Sequence, residues 1–216
     1  MLINTSESSD VMIEKIRGKG CNIYVIELND RKYVVDTGLP GNEGIISRAV
    51  KDCSGIILTH SHFDHMGSAY SLSKLLKCSV YSHPEEFDFL KGLKKHEYRG
   101  FLGTLAKIYE RIKKPKYLEE IKSVEELEDL EIIHLPGHTP GSIAILFESS
   151  LICGDLVRGG GLFSKEPGLS SNNFNWNSEE YKKSLKKVLK LEFDQLLPGH
   201  GKNISRDEFE NLVKRL

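Results

Sequence analysis

The chain is short of several things, and each shortage removes a class of explanation. Its 216 residues hold four cysteines, Cys21, Cys53, Cys78 and Cys153, with no C-x-x-C spacing among them. That speaks against a thiolate zinc knuckle. Scattered cysteines fit a reducing compartment, although one disulfide is compatible with the sequence. No apolar run approaches the roughly 18 residues that cross a bilayer. The polar start, "MLINTSESSD", lacks the basic end and following apolar stretch of a secretory signal. Charge of one sign is not in excess: 30 basic and 31 acidic residues leave a net of -1. That balance gives no global electrostatic case for nucleic acid or an anionic membrane. There is no repeat of solenoid period and no low-complexity tract. The expectation is a soluble, cytoplasmic protein forming a single domain over residues 1–216. At 39 % hydrophobic it has enough apolar residues for a proper core.

What is present is a regular succession of apolar runs and turn residues. "VMIEKIRG" and "CNIYVIEL" are rich in β-branched residues, and "NIYVIELNDRKYVVDTG" reads as a hairpin turning at Asn29-Asp30. Residues 43–51 form a plausible helix, followed by a buried strand at 55–58. "SAYSLSKLLK" reads as a helix, "CSVYS" as the next strand, and Pro84 with Glu85 and Glu86 as a helix start. Residues 91–117 differ, mixing bases with aromatics and lacking any strand pattern. Phe101, Leu102, Leu105, Ile108, Tyr109 and Ile112 lie there at helical spacing. This predicts a helical insert whose apolar stripe either packs on the core or serves a lid, with Pro115 stopping the helix. "EIIHLPG", "SIAILFE" and "SLICGD" return to strands. A Gly/Asn/Ser-rich stretch, 159–177, is long enough for a loop to suggest function. Asn177 with Glu180, and Ser205 with Glu208, offer caps for two closing helices. On the first of these, Tyr181, Leu185, Val188 and Leu189 form the buried stripe, and the lysines at 182, 183, 186, 187 and 190 a solvated face.

The histidines are not scattered. "LTHSHFDHMGS" places His60, His62, Asp64 and His65 within six positions, directly after an apolar run. With 8 histidines in the chain, composition alone gives H-x-H-x-D-H in roughly one chain in a few thousand. The pattern of position then repeats: "LPGHTPGS" puts His138 after a strand-like run, "LICGD" puts Asp155 after another, and "LLPGHG" puts His200 after a third. If those runs point the same way in a layered sheet, their ends share one edge, where the side chains can converge. Neutral imidazole and carboxylate oxygen are the usual ligands of zinc, and of iron or manganese. Seven such groups exceed the needs of one tetrahedral ion and suit two adjacent ions.

The constellation "THSHFDH", "PGHTPGS", "CGD" and "LPGHG" resembles the metallo-β-lactamase-fold hydrolase superfamily, from about Val11 to Lys202. The resemblance implies an α/β fold, a four-layer αββα sandwich with the metal site at one edge of its sheets. It implies that His60, His62 and His138 hold a first metal, that Asp64, His65 and His200 hold a second, and that Asp155 bridges. The expected cofactor is two divalent ions, zinc first, with iron or manganese as alternatives. The chemistry that follows is hydrolysis of an ester, thioester or lactone by a hydroxide held between the ions. Asp64 would orient that nucleophile and carry a proton to the leaving group. Ligand histidines must be neutral, so occupancy should fall in acid.

The motif pattern looks most like the glyoxalase II-related branch. Only 16 residues follow His200, too few for the helical region with which glyoxalase II proper binds glutathione, so a glutathione thioester is not favoured. A mononuclear Fe(II) oxygenase resembling the persulfide dioxygenases, using His60, His138 and Asp155, is the first rival. A small phosphodiesterase or nuclease of the same fold is the second; the 27-residue insert is small for one, and the charge balance does not favour it. The absence of an export pattern also weakens a β-lactamase reading. The expected partner is a small-molecule substrate, with neither nucleic acid nor membrane, and a homodimer is compatible. Tyr98, Arg99, Tyr109 and Arg158 are candidates to grip a polar substrate, though an ordinary packing or surface role is favoured for each. Cys153 reads as a buried thiol. His134 reads as packing or support for a ligand and His83 as a turn residue, while the role of His96 stays open. Phe174 and Trp176 read as a pocket wall or an aromatic plug.

Overall fold

A computed structural model describes residues 12–113, 115–160 and 165–216, apart from the side chain of Leu102. The polar start, Val11, Leu102 in the predicted stripe, Lys114 and positions 161–164 of the long loop therefore lie outside the described residues. The first sheet contains β1 (Met12–Arg17), β2 (Asn22–Leu28), β3 (Arg31–Val35), β4 (Gly55–Ile57), β5 (Ser79–Ser82) and β6 (Lys122–Ser123), in that spatial order. β1 to β3 form an antiparallel meander, and β3 to β6 run parallel. Asn29 and Asp30 turn the β2–β3 hairpin with φ of 49° and 62°, the left-handed pair that matches strand twist in a two-residue turn.

The second sheet begins with β7 (Glu131–His134), β8 (Ile143–Phe147) and β9 (Ser150–Gly154). A short ribbon of β10 (Val157–Arg158) and β11 (Gly168–Leu169) follows, and β12 (Gln195–Pro198) with β13 (Ile204–Ser205) completes the sheet in the order β13-β12-β9-β8-β7. β7 and β9 each pair antiparallel with β8, and β12 pairs parallel with β9. Hence β7, β9 and β12 all point one way. That shared direction is the fact the sequence could not supply.

Helices α1 (Glu43–Ala49), α2 (Phe63–Met66), α3 (Ala69–Leu76) and α4 (Phe87–Leu90) pack on the first sheet, α5 (Gly100–Lys113) follows, and α6 (Ser178–Val188) and α7 (Arg206–Val213) pack on the second. Alternation along each strand sorts its residues into three apolar clusters. Ile23, Val25, Val34 and Ile56 meet Ile46 of α1 and Leu72 of α3. Tyr24, Ile26, Val35 and Ile57 face the opposite way, onto Ile143, Ile145 and Ile152 of the other sheet. Ala144, Leu151 and Leu196 then meet Tyr181, Leu185 and Val188 of α6 and Phe209 of α7. Three clusters separate four layers, helix–sheet–sheet–helix. Asn177 Oδ1 accepts from the Glu179 and Glu180 N–H groups, and Ser205 with Glu208 closes a capping box, so both closing helices start where their caps stand. The four lysines of α6, and Lys190 just beyond it, are exposed.

Two features depart from the sequence pattern. The α5 stripe neither packs on the core nor closes over it: Phe101, Leu105, Ile108, Tyr109 and Ile112 are exposed. The helix instead turns Gly103, Ala106 and Glu110 toward the body. Gly103 explains the preference, since a Cβ there would stand 2.8 Å from Tyr98 Cβ. Separately, Cys53 and Cys78, distant in sequence, lie with their sulfurs 3.3 Å apart as free thiols, because their strands β4 and β5 are parallel neighbours.

Candidate metal centre

Each of the suspected residues follows the C-terminal end of a strand. β4 runs through Leu58 into Thr59-His60-Ser61-His62, and α2 then carries Asp64 and His65 on one helical turn. β7 leads to His138, β9 to Asp155 and β12 to His200. Gly199 is required at the last bend: a Cβ there would meet His65 Cε1 at 2.5 Å and Asp155 Oδ1 at 2.6 Å.

All seven residues converge. The ligand-type atoms of His60, His62 and His138 lie within 4.8 Å of one another, and so do those of Asp64, His65 and His200. Asp155 stands between the groups. Its Oδ2 is 3.7 Å from His138 Nε2, while its Oδ1 is 3.3 Å from His65 Nε2 and 3.5 Å from His200 Nε2. Asp64 Oδ2 is 3.2 Å from His200 Nε2.

Hydrogen bonds fix which nitrogen of three rings holds the proton. His65 Nδ1 donates to Asp36 Oδ2 at 2.7 Å. The Thr59 hydroxyl donates to the same carboxylate, so its oxygen accepts from His60 Nδ1 at 3.0 Å. His138 Nδ1 meets the acceptor Oδ1 of Asn175 at 3.0 Å and Ser170 Oγ at 2.9 Å. The His60 and His138 rings are thereby left with an unshared pair on Nε2, aimed at the centre. Nε2 of His60, His62 and His138, together with Asp155 Oδ1, is buried without a hydrogen-bond partner. A buried polar atom without a partner costs about 1–3 kcal/mol. Four in one place need a common answer, and the donor set, imidazole nitrogen with carboxylate oxygen, is the one a divalent metal takes. Burial also holds the His60, His62 and His138 pKa values below the ordinary range, well below for the first two. They are therefore neutral, as ligation demands. Burial opposes ionisation of Asp155, but His200 and His65 override it and hold its carboxyl well below the usual range.

Several residues that sequence reasoning passed over support this centre. Asp36 and Thr59 are two, and "VVDTG" was readable only as a strand ending in a polar turn. Glu86 is another. Fully buried, it accepts from Ser61 N at 2.8 Å, from the Ser61 hydroxyl, and from Gly141 N at 2.6 Å. It thus ties the loop after β4, in the first sheet, to the loop after β7, in the second. A Cβ on Gly141 would stand 2.8 Å from Glu86 Cγ, so glycine admits the clamp. His96, whose role the sequence left open, bonds Ser61 Oγ at 2.8 Å and stacks on Phe89 with its ring 4.4 Å from that of His62. Burial pushes its pKa down to about 3.

Of the substrate candidates, Tyr98 reaches the centre, its ring 5.2 Å from His62 and 5.8 Å from Phe174. Tyr109 lies 6.0 Å from Phe63, and Arg158 keeps a buried Nε with no partner. The Arg99 side chain is exposed, and Trp176 is half exposed. Cys153 lies in the apolar cluster beneath α6, and burial raises its thiol pKa. His134 and His83 stack on each other at 3.8 Å, and His83 caps the turn at Pro84 by accepting from Glu85 N.

Comparison with known proteins follows the same lines. The profile described as the metallo-beta-lactamase superfamily matches residues 16–200. A probable metallo-hydrolase of Methanocaldococcus jannaschii is 32 % identical over 156 residues, covering 68 % of this chain and 72 % of that one. A probable metallo-hydrolase of Bacillus subtilis is 28 % identical over 90 % of this chain and 87 % of its own. A hydroxyacylglutathione hydrolase of Shewanella baltica is 30 % identical over 70 % of this chain, which spans about half of that protein (49 %). Among solved structures, a protein crystallised in a di-iron-bound form superposes with a TM-score of 0.70 at 25 % identity, over 95 % of this chain and 100 % of that one.

Proposed function

We propose that this protein, which belongs to the metallo-beta-lactamase superfamily and is a metal-dependent hydrolase, uses two divalent ions to cleave an ester, thioester or lactone bond of a small molecule. The observation that carries this is the set of buried, partnerless atoms, Nε2 of His60, His62 and His138 with Asp155 Oδ1, facing one centre. His60, His62 and His138 would hold one ion, and Asp64, His65 and His200 the other. Asp155 would lie between, its two oxygens toward the two groups. Such a cation pair supplies hydroxide near neutral pH and an electrophilic seat for a carbonyl oxygen. The chain's own residues do the rest. Asp36, through His65 and Thr59, and Asn175, through His138, keep the imidazole lone pairs aimed inward. Asp64 is the one carboxylate of the cluster with its side chain substantially open to solvent. It orients the nucleophile and accepts the proton later passed to the leaving group.

Zinc is the proposed metal because the donors are nitrogen and oxygen; the di-iron form of a structural neighbour makes iron the alternative to test. The relatives named hydroxyacylglutathione hydrolase favour the thioester among the three bonds. The experiment is metal analysis after anaerobic purification, followed by a panel of thioesters, lactones and phosphodiesters on enzyme of known metal content. Two ions per chain and cleavage of carbonyl substrates are expected. One iron per chain with oxygen uptake would assign an oxygenase instead. Cleavage of phosphodiesters alone would assign a nuclease.

A further inference from the structure

The near-zero total charge conceals a local excess. Residues 91–117 hold nine basic residues and two acidic ones, a net of +7 in a chain whose total is -1. One of the two acids, Glu110, is turned toward the body, and burial raises its pKa. Along α5, Phe101, Leu105, Ile108 and Ile112 follow one another at intervals of four, three and four. They therefore share one face of a helix with 3.6 residues per turn. That face looks outward: Phe101 is 77 % exposed, Ile112 69 %, and the neighbouring Leu93 73 %. Gly103, Ala106 and Glu110, two positions out of phase, form the body side. Arg111 lies on the flank of the apolar stripe and Lys107 farther round toward the body, and both are exposed.

We infer that α5 and the segment leading into it form a peripheral docking surface for a bilayer rich in acidic phospholipid. A helix lying in a membrane interface has this form, with large apolar side chains on one face and Lys and Arg beside them. Polybasic segments are drawn to the negative surface potential of such a bilayer. Among the described residues no helix is long and apolar enough to cross a membrane, so the attachment is peripheral. A second copy of the chain fits the face less well, because an isologous contact would bring two +7 segments together. Nucleic acid would use the charge but little of the stripe. Phe101 could stack on a base, but Leu105, Ile108 and Ile112 are aliphatic and offer no aromatic or guanidinium plane. The surface adjoins the metal centre, since Tyr98, just before α5, touches His62, and Tyr109 touches Phe63.

The test is co-sedimentation of the full chain with vesicles of phosphatidylcholine alone and of phosphatidylcholine containing about a third phosphatidylglycerol. Binding to the acidic vesicles should exceed binding to neutral ones by about tenfold or more, and fall as salt is raised. Phe101→Ser with Ile112→Ser, and separately Lys107→Gln with Arg111→Gln, should each weaken it by about tenfold, with metal content and thermal stability unchanged. Equal partition onto neutral vesicles, no partition at all, or binding that survives both double variants overturns the inference. So does a dimer in sedimentation velocity that Phe101→Ser with Ile112→Ser dissolves, which would assign the face to a second copy. RNA binding lost in the charge variant but kept in the apolar one, with vesicles ignored, would assign it to nucleic acid. None of these readouts depends on which bond the enzyme cleaves.

Discussion

Asp36 Oδ2 accepts a 2.7 Å hydrogen bond from His65 Nδ1, and the same carboxylate receives the Thr59 hydroxyl that in turn orients His60. One buried carboxylate thus sets a ring in each of the two ligand groups. Asp36 does so from a left-handed backbone conformation, φ 59°, which a non-glycine residue adopts at a cost and which recurs at functional sites.

Replacing Asp36 by Asn should therefore weaken metal binding at both positions. The amide would turn a donor toward either the Thr59 N–H or the His65 Nδ1–H. Affinity should fall about 10–100-fold at each position, as for other groups that orient metal ligands. Chelator competition with cobalt as a spectroscopic probe reads both. A loss confined to one ion would restrict the role of Asp36 to a single ring.

Glu86 makes a contrasting case, since it touches only the loops that bear His60, His62 and His138. In Glu86→Gln the amide nitrogen must face the N–H of Ser61 or that of Gly141. We expect a stability loss of about 1–3 kcal/mol in urea unfolding and weaker binding of one ion, with the other retained. Ser61→Ala, which removes the hydroxyl's contacts to Glu86 and His96 but keeps the Ser61 N–H on Glu86, should show a smaller loss of the same kind. Unchanged affinity in a folded Glu86→Gln protein would reduce the residue to ordinary packing.

Asp64→Asn separates holding from chemistry. Hydrolysis should drop about 10²–10⁴-fold, with metal content falling by at most one ion per chain. If rate and occupancy both stay normal, the role given to Asp64 is wrong.

Stability in alkali should reflect Tyr181, whose hydroxyl donates to Leu156 O at 2.6 Å and accepts from Ser170 N at 2.8 Å. Burial raises its pKa above the ordinary value of 10.0. Above about pH 10 the unfolded chain releases this proton while the folded chain keeps it. The contribution is thus complete below that pH and is lost as pH rises toward the folded value. Urea midpoints from pH 9 to 11 should decline, and Tyr181→Phe should decline less steeply. Equal slopes would show that other groups dominate.

Much of the fold was legible because its signals are local. The hairpin at Asn29-Asp30, the strand at 55–57, and the caps at Asn177 and Ser205 each depend on neighbours within a few residues. The ribbon of β10 and β11 was not legible, since two-residue strands exist only by virtue of their partner. The α5 stripe was legible as helix but not as surface. Periodicity reports that one face differs from the other, and Gly103 decides which of them meets the body.

By itself the sequence determined the run of ligand-type side chains, their attachment to strand ends and the alternation that builds four layers, because these follow from residue chemistry and short-range period. Only the tertiary structure decided that β7, β9 and β12 run in one direction and meet the loop after β4. It alone brought Asp36 and Asn175 to the histidines they orient, and Glu86 to the two loops it ties together. Such pairings span 25 to 55 positions of chain, and no periodicity reaches that far; they exist because neighbouring strands, and then two separately patterned sheets, bury their faces against each other.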